Sequence, residues 1–313
     1  MLPEIASRLH SEKIIAILQN IGRNKVQEVD FISITTSPGL PGSLIVGKSV
    51  ATMLSEYFHK PLVNINHIHG HIFSILLERK IKDLSFPMVI LTASGGHNDI
   101  YLITTTPFKK EKNKMESSQL ANFHIYKIGY TLDDAAGEAF DKVSKMLNGP
   151  YPGGPRISQQ AIKGKSNHNY HFKRIFLPQD EQDNFVFSFS GMKSQVSILL
   201  NKLKKAEKKL TEQDIADIAY EFQEATIETL ANRLRKATKE YGAKTIAVAG
   251  GVSANNRLIE YVENIVQEHN NQEYIKEHDL KILFLSPTKK VYSTDNAAMI
   301  GVAGILQYKP LNV

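Results

Sequence analysis

The feature that most narrows the fold is a phrase the chain uses twice. Residues 87–93 (PMVILTA) are almost wholly apolar and stop at Ser94-Gly95-Gly96-His97. Residues 245–249 (TIAVA) stop at Gly250-Gly251, ahead of a helical pattern opening near Asn255. A strand without polar alternation is buried on both faces, as in sheets covered by helices on each side. Paired glycines at a strand end let backbone N–H groups approach a ligand or turn towards a phosphate. Two earlier segments repeat the order. Residues 31–35 run into the Gly/Pro loop 37–43 and a helix over 44–58, and residues 61–65 run into another helix. Strand–loop–helix repetition predicts an α/β class. The 313 residues leave room for two lobes at roughly 150 residues per domain.

The helix after residue 65 carries His67-Ile68-His69-Gly70-His71, with Asn66 placed to cap it. Spacing of four sets His67 and His71 on one helix face, where both imidazoles reach one cation, and turns His69 to the opposite side. The chain has no cysteine, so a metal must use His and carboxylate. Among 11 histidines such a pair also arises by chance. A zinc peptidase is excluded on chemistry, because its helix needs glutamate directly after the first histidine and Ile68 stands there.

Further along, residues 131–142 read as a helix with Asp134, Glu138 and Asp141 on one face among small residues. Stacked carboxylates repel unless cations, hydroxyls or backbone donors meet them. Tyr151-Pro152-Gly153-Gly154-Pro155 forms a rigid turn. A strand over 185–189 precedes a helix over 194–209. A long helix follows from Thr211, with Asp214 as capping partner, Ile215, Ile218, Phe222, Leu230 and Leu234 as its core face, and Gly242 at its end. Asn255 reads as ligand contact or helix cap. Residues 293–296 cap a final helix over 297–306, and Asp295 taken alone is a cap. An amphipathic helix over 4–22 buries Ile5, Leu9, Ile14, Ile15 and Leu18.

The net charge is +6, and lysines gather in 108–114, 163–174 and 202–209. Each run singly is ordinary solvated surface, whereas three together suit a polyanion. Residues 106–124 read as a polar surface insertion. No apolar run nears the roughly 20 residues of a membrane helix, and the N-terminus lacks a signal-peptide layout. A cytoplasmic, membrane-free protein is expected.

Residues 66–71, 94–97, 131–142, 151–155, 187–193, 249–255 and 294–299 together resemble the TsaD family, once described as O-sialoglycoprotein endopeptidases. The resemblance implies a two-lobed actin-like ATPase (ASKHA) fold, with mixed sheets flanked by helices. Lobes of 1–85 and 86–292 would be followed by a final helix, 293–313, returning to the first lobe. It implies an acyltransferase that moves threonylcarbamoyl from threonylcarbamoyl-AMP to N6 of the tRNA adenosine 3′ of the anticodon, releasing AMP. His67, His71 and Asp295 would hold a divalent metal, iron first and zinc or magnesium as alternatives. Thr92, Ala93, Ser94, Gly95, Gly96, Asp141, Gly154 and Asn255 would hold the donor. TsaB-like and TsaE-like proteins would be partners. The family pattern opens with a strand and a Gly-Ile-Glu-Thr-Ser loop that this chain starts after, so the first lobe is expected to be N-terminally truncated. His69 stands where glutamate is usual, Ser37 where glycine is common and Asn98 where threonine is common. The competing expectations are an inactive scaffold of the same family and an actin-like kinase or ATPase, which leaves the histidine pair without a role.

Overall fold

The computed structural model describes residues 3–108, 116–174, 185–278 and 280–308. Helices α1 (Pro3–Ile21) and α2 (Arg23–Glu28) lead to β1 (Ile32–Ser37), α3 (Pro41–Phe58) and β2 (Leu62–Asn66), and α4 (His67–Phe73) starts where β2 ends. β1 and β2 pair in parallel, Ile32 opposite Leu62. Parallel neighbours need a long crossover, and α3 supplies it.

A seven-stranded mixed sheet follows. Its strands are β3 (Met88–Ala93), β4 (Asn98–Thr104), β5 (Ser117–Leu120), β6 (Phe123–Thr131), β7 (Phe185–Phe187), β8 (Thr245–Ala249) and β9 (Leu283–Leu285). The spatial order is β5-β6-β4-β3-β8-β9, with β7 beside β6. β3 runs antiparallel to β4 and parallel to β8. The helices are α5 (Ala136–Met146), α6 (Gly153–Lys163), α7 (Ser190–Lys205), α8 (Glu212–Glu240), α9 (Asn256–Asn270), α10 (Glu273–Glu277) and α11 (Ala297–Tyr308).

β3 shows why its sequence has no alternation. Val89, Leu91 and Ala93 enter one core with Phe140, Phe222 and Leu258. Met88 and Ile90 enter a second core with Ile65, Ile72, Phe73 and Met299. Side chains alternate across a strand, so a sheet covered on both sides needs apolar residues at every position. α11 packs on α4, β1 and β2, which returns the last helix to the first elements. No helix of the described residues is long and apolar enough to cross a membrane.

Four local expectations change. Residue 131 belongs to β6, not to a helix, because Thr131 pairs with Phe187 of β7. α5 therefore starts at Ala136, and Asp134 lies in the preceding loop. α7 starts at Ser190 rather than 194, because Asp133 takes Phe189 N (2.8 Å), Ser190 N (3.2 Å) and the Ser188 and Ser190 hydroxyls. A carboxylate on the free N–H groups of a first turn is a strong start signal. Within the supposed insertion 106–124, Ser117–Leu120 forms an edge strand on β6, while residues 109–115 lie outside the described residues. Ile5, Leu9 and Ile15 of the α1 stripe are exposed, with Ala6 buried instead.

α8 begins as its sequence predicts. Thr211 Oγ1 accepts from Asp214 N at 3.1 Å, and Asp214 accepts from Thr211 N at 2.9 Å. Thr211→Ala should cost about 1 kcal/mol. Denaturant titration should show a lower midpoint at unchanged slope.

Candidate active site

The histidine helix is built as expected at its start, Asn66 Oδ1 accepting from Ile68 N at 2.8 Å. One turn then places His67 and His71 edge to face, ring centroids 4.8 Å apart. His69 goes the other way, its Nε2 2.9 Å from Ser118 Oγ on β5. Burial pushes its imidazole down to about 4, so it adds no positive charge beside the pair at neutral pH.

Asp295 completes the group. Its Oδ1 lies 3.2 Å from His67 Nε2 and 3.0 Å from His71 Nε2. The His67 and His71 imidazoles hold its carboxyl well below the ordinary carboxylate range. Asp295 is free for this because Asn296 is the cap of α11, its Oδ1 accepting from Met299 N at 2.9 Å. Gly70 brings the two helices together, since a Cβ there would stand 2.7 Å from Ile300 Cδ1 and 3.2 Å from Met299 Cγ. The three ligand atoms lie within 4.8 Å of one another. Two imidazole nitrogens and one carboxylate oxygen converging from one side, with Asp295 exposed on the other, fit a divalent metal that keeps open positions for a ligand. Among the described residues Nδ1 of the buried His71 has no partner, so the ring's alignment is set by packing and by Asp295.

Beside this group lies a cavity of about 880 Å³, lined by Gly95, Asp141, Gly154 and Asn255, and by Lys290 and Thr294 from the loop that ends in Asp295. Four of the eight donor candidates thus share one wall. The other four do not line it. Thr92 and Ala93 are buried in β3, Thr92 Oγ1 donating to Asp99 O at 3.4 Å. Ser94 closes the turn on itself, its Oγ accepting from Gly96 N at 3.3 Å and His97 N at 3.2 Å. Gly95 is the glycine of the pair that meets the cavity. In the orientation that satisfies both its ends, the Asn98 amide donates to His97 O (3.1 Å) and accepts from Ala136 N (2.6 Å). It ties the turn to the start of α5.

The acidic residues separate by role. Asp134 is met by Lys142 (2.7 Å) and Lys193 (2.8 Å), and Glu138 by Lys142 (2.7 Å). Asp141 Oδ1 accepts from Gly153 N at 2.6 Å, which caps α6. Of the three, Asp141 alone lines the cavity. Asn255 is both cap and wall. Its Oδ1 takes Arg257 N at 2.9 Å, and its Nδ2 faces Ser158 Oγ (3.1 Å) and Gln223 Oε1 (3.0 Å). Sequence reasoning missed Ser158, Gln223, Glu224 and Arg257. Glu224 and Arg257 form a two-pronged pair at 2.8 Å in the wall. The available signal was Gln223-Glu224 beside Phe222 on the core face of α8, where buried polar residues need partners.

The chain matches the family model described as TsaD, tRNA N6-adenosine threonylcarbamoyltransferase, over residues 1–302. The protein of that name from Kosmotoga olearia is 40% identical over 305 residues, covering 96% of this chain and 80% of the relative. That of Bacillus subtilis is 36% identical over 312 residues, covering 99% and 79%. Among solved structures, T. kodakarensis HypF superposes with a TM-score of 0.54 at 15% identity, over 95% of this chain but 43% of its own. Full-length HypF in a phosphate- and nucleotide-bound form gives 0.51 at 12% identity, over 90% and 39%. At such identities the likeness shows the fold alone, and it is the two-lobed actin-like ATPase fold. The match along nearly the whole chain, at identities well above those of the shared fold, places this chain in the TsaD family of tRNA N6-adenosine threonylcarbamoyltransferases.

Proposed function

We propose that this chain transfers the threonylcarbamoyl group of threonylcarbamoyl-AMP to N6 of the tRNA adenosine 3′ of the anticodon, in tRNAs reading codons that begin with A. The observation that carries this reading is the His67–His71–Asp295 group at the edge of a cavity of nucleotide size. In the reaction the adenosine amine attacks the carbamoyl carbon, the bond from that carbon to the phosphate oxygen breaks, the amine gives up a proton, and AMP leaves. His67, His71 and Asp295 would hold the metal, with Fe(II) favoured for two imidazoles and one carboxylate. When bound it supplies charge that polarises the carbonyl and steadies the leaving phosphate. Asp141, whose Oδ1 is already engaged, would accept from a ribose hydroxyl through its other oxygen. Gly95 and Gly154 let the donor approach the backbone closely. Thr92, Ala93, Ser94 and Gly96 would act by shaping the turn.

The acceptor base lies in a tRNA loop, where bases are presented singly. TsaB-like and TsaE-like partners, the cytoplasm as the site of action, and lobes of 1–85 and 86–292 with the last helix on the first belong to the same reading. A kinase is disfavoured because phosphoryl transfer leaves the histidine pair idle. The test is nucleoside mass spectrometry on tRNA incubated with this chain, its partners, Fe(II) and threonylcarbamoyl-AMP. Threonylcarbamoyladenosine should accumulate, and its absence would sink the proposal.

A further inference from the structure

The donor cavity contains a buried polar group that the fold does not use. Gln223 of α8 is 6% exposed and lines the cavity. Its Oε1 accepts from Asn255 Nδ2 at 3.0 Å, while among the described residues nothing accepts from its Nε2. The amide is not free to reverse. Turned over, it would set its NH₂ against the NH₂ of Asn255, donor to donor. Asn255 cannot reverse either, because its oxygen takes Arg257 N and its nitrogen serves Ser158 Oγ.

Both N–H groups of Asn255 are therefore in use, directed to Ser158 and Gln223, and its oxygen already takes Arg257 N. Asn255 offers the cavity no side-chain donor. The neighbouring charge is also spoken for, since Arg257 holds both oxygens of Glu224 at 2.8 Å. Gln223 adds an oriented N–H pair to this wall, beside the Ser158 hydroxyl. Because Gln223 lines the cavity, this N–H pair is open to an acceptor on a ligand that enters it. Tyr151, Pro155 and Ile162 give the cavity apolar surface among polar residues such as Gln159, Asn256 and Lys290, and Tyr151 and Ile162 are 85% and 83% exposed. Those three side chains suit the face of a flat base, which polar groups of the wall would orient.

We propose that Gln223 is a specificity-determining residue for the donor. Its Nε2 donates to an acceptor on the nucleotide half of the acyl adenylate, and Asn255 and Ser158 lock the amide in that orientation. The inference rests on the proposed function, because it takes the cavity as the donor site.

The test uses AMP as probe and calorimetric titration of the full chain. Gln223→Glu keeps the acceptor for Asn255 and replaces the donor with a carboxylate oxygen. Gln223→Met keeps similar volume and has neither donor nor acceptor. Both should weaken AMP binding by up to about tenfold, as expected for the loss of one directed hydrogen bond. The KM for tRNA should be unchanged, and the melting temperature of each variant reports whether it has folded. Unchanged AMP affinity in both folded variants overturns the role of Gln223 and leaves the donor site standing. A wild-type chain that binds no AMP overturns both.

Discussion

Replacing His71 with alanine should empty the metal site and reduce threonylcarbamoyl transfer by more than 100-fold. Loss of an outer partner of a metal ligand costs roughly 10–100-fold, and His71 is proposed as a ligand itself. It is also the more buried of the two histidines, so water is poorly placed to substitute for it. Elemental analysis of the purified chain should find about one metal per wild-type subunit, and none in His71→Ala or in wild type treated with a chelator. His69→Ala supplies the contrast. That side chain bonds Ser118 on the other side of α4, so its loss should lower stability while metal content stays. Full metal occupancy in His71→Ala would refute the assignment.

The second large effect is Gly137→Ala, where two physical rules give opposite signs. Gly137 lies inside α5, and helix propensity alone favours alanine by about 1 kcal/mol. Geometry opposes it. A Cβ at this position would stand 2.5 Å from Ser94 O and 2.8 Å from Gly95 Cα. Those atoms are backbone, and the Ser94–His97 turn is tied down by the Ser94 hydroxyl and by Asn98. The added methyl must therefore displace either the turn or the start of α5. Overpacking of this kind typically costs 1–3 kcal/mol, more than propensity returns. Gly137→Ala should melt below wild type and bind AMP more weakly, because Gly95 and Asp141 line the cavity from the two elements in contact, whichever of them moves. A melting temperature above wild type would show that the contact is loose.

How much was legible beforehand differs between elements. β3 and β8 were readable because two-sided burial writes itself as an unbroken apolar run. α8 was readable because Thr211 and Asp214 form their capping box within three residues. The start of α5 was not, since Thr131 looks helical only until its pairing with Phe187 is known. That pairing crosses more than 50 residues, and it leaves Asp134 beside Lys193 instead of on the acidic face. The early start of α7 likewise depends on Asp133, a residue nowhere near it in sequence. The amphipathic pattern of α1 correctly announced a helix, yet Ile5, Leu9 and Ile15 are exposed, because periodicity states which face is apolar and not what covers it.

The sequence by itself determined the α/β class, the two glycine-ended strands, and a pair of histidines on one helix face. Each follows from a period of two or of 3.6 that the backbone imposes on neighbouring residues. Tertiary structure decided which residue of the last loop faces the histidine pair. Asp295 and Asn296 are equally good caps on paper. Asn296 takes Met299 N, the close contact of Gly70 with Ile300 and Met299 sets α11 against α4, and Asp295 is left facing His67 and His71. The same holds for Asn255, whose hydrogen bonds run to Ser158 and Gln223 on two other helices. A hydrogen-bonding residue carries its capacity in its chemistry, but how that capacity is used depends on which distant groups packing brings within 3 Å or so.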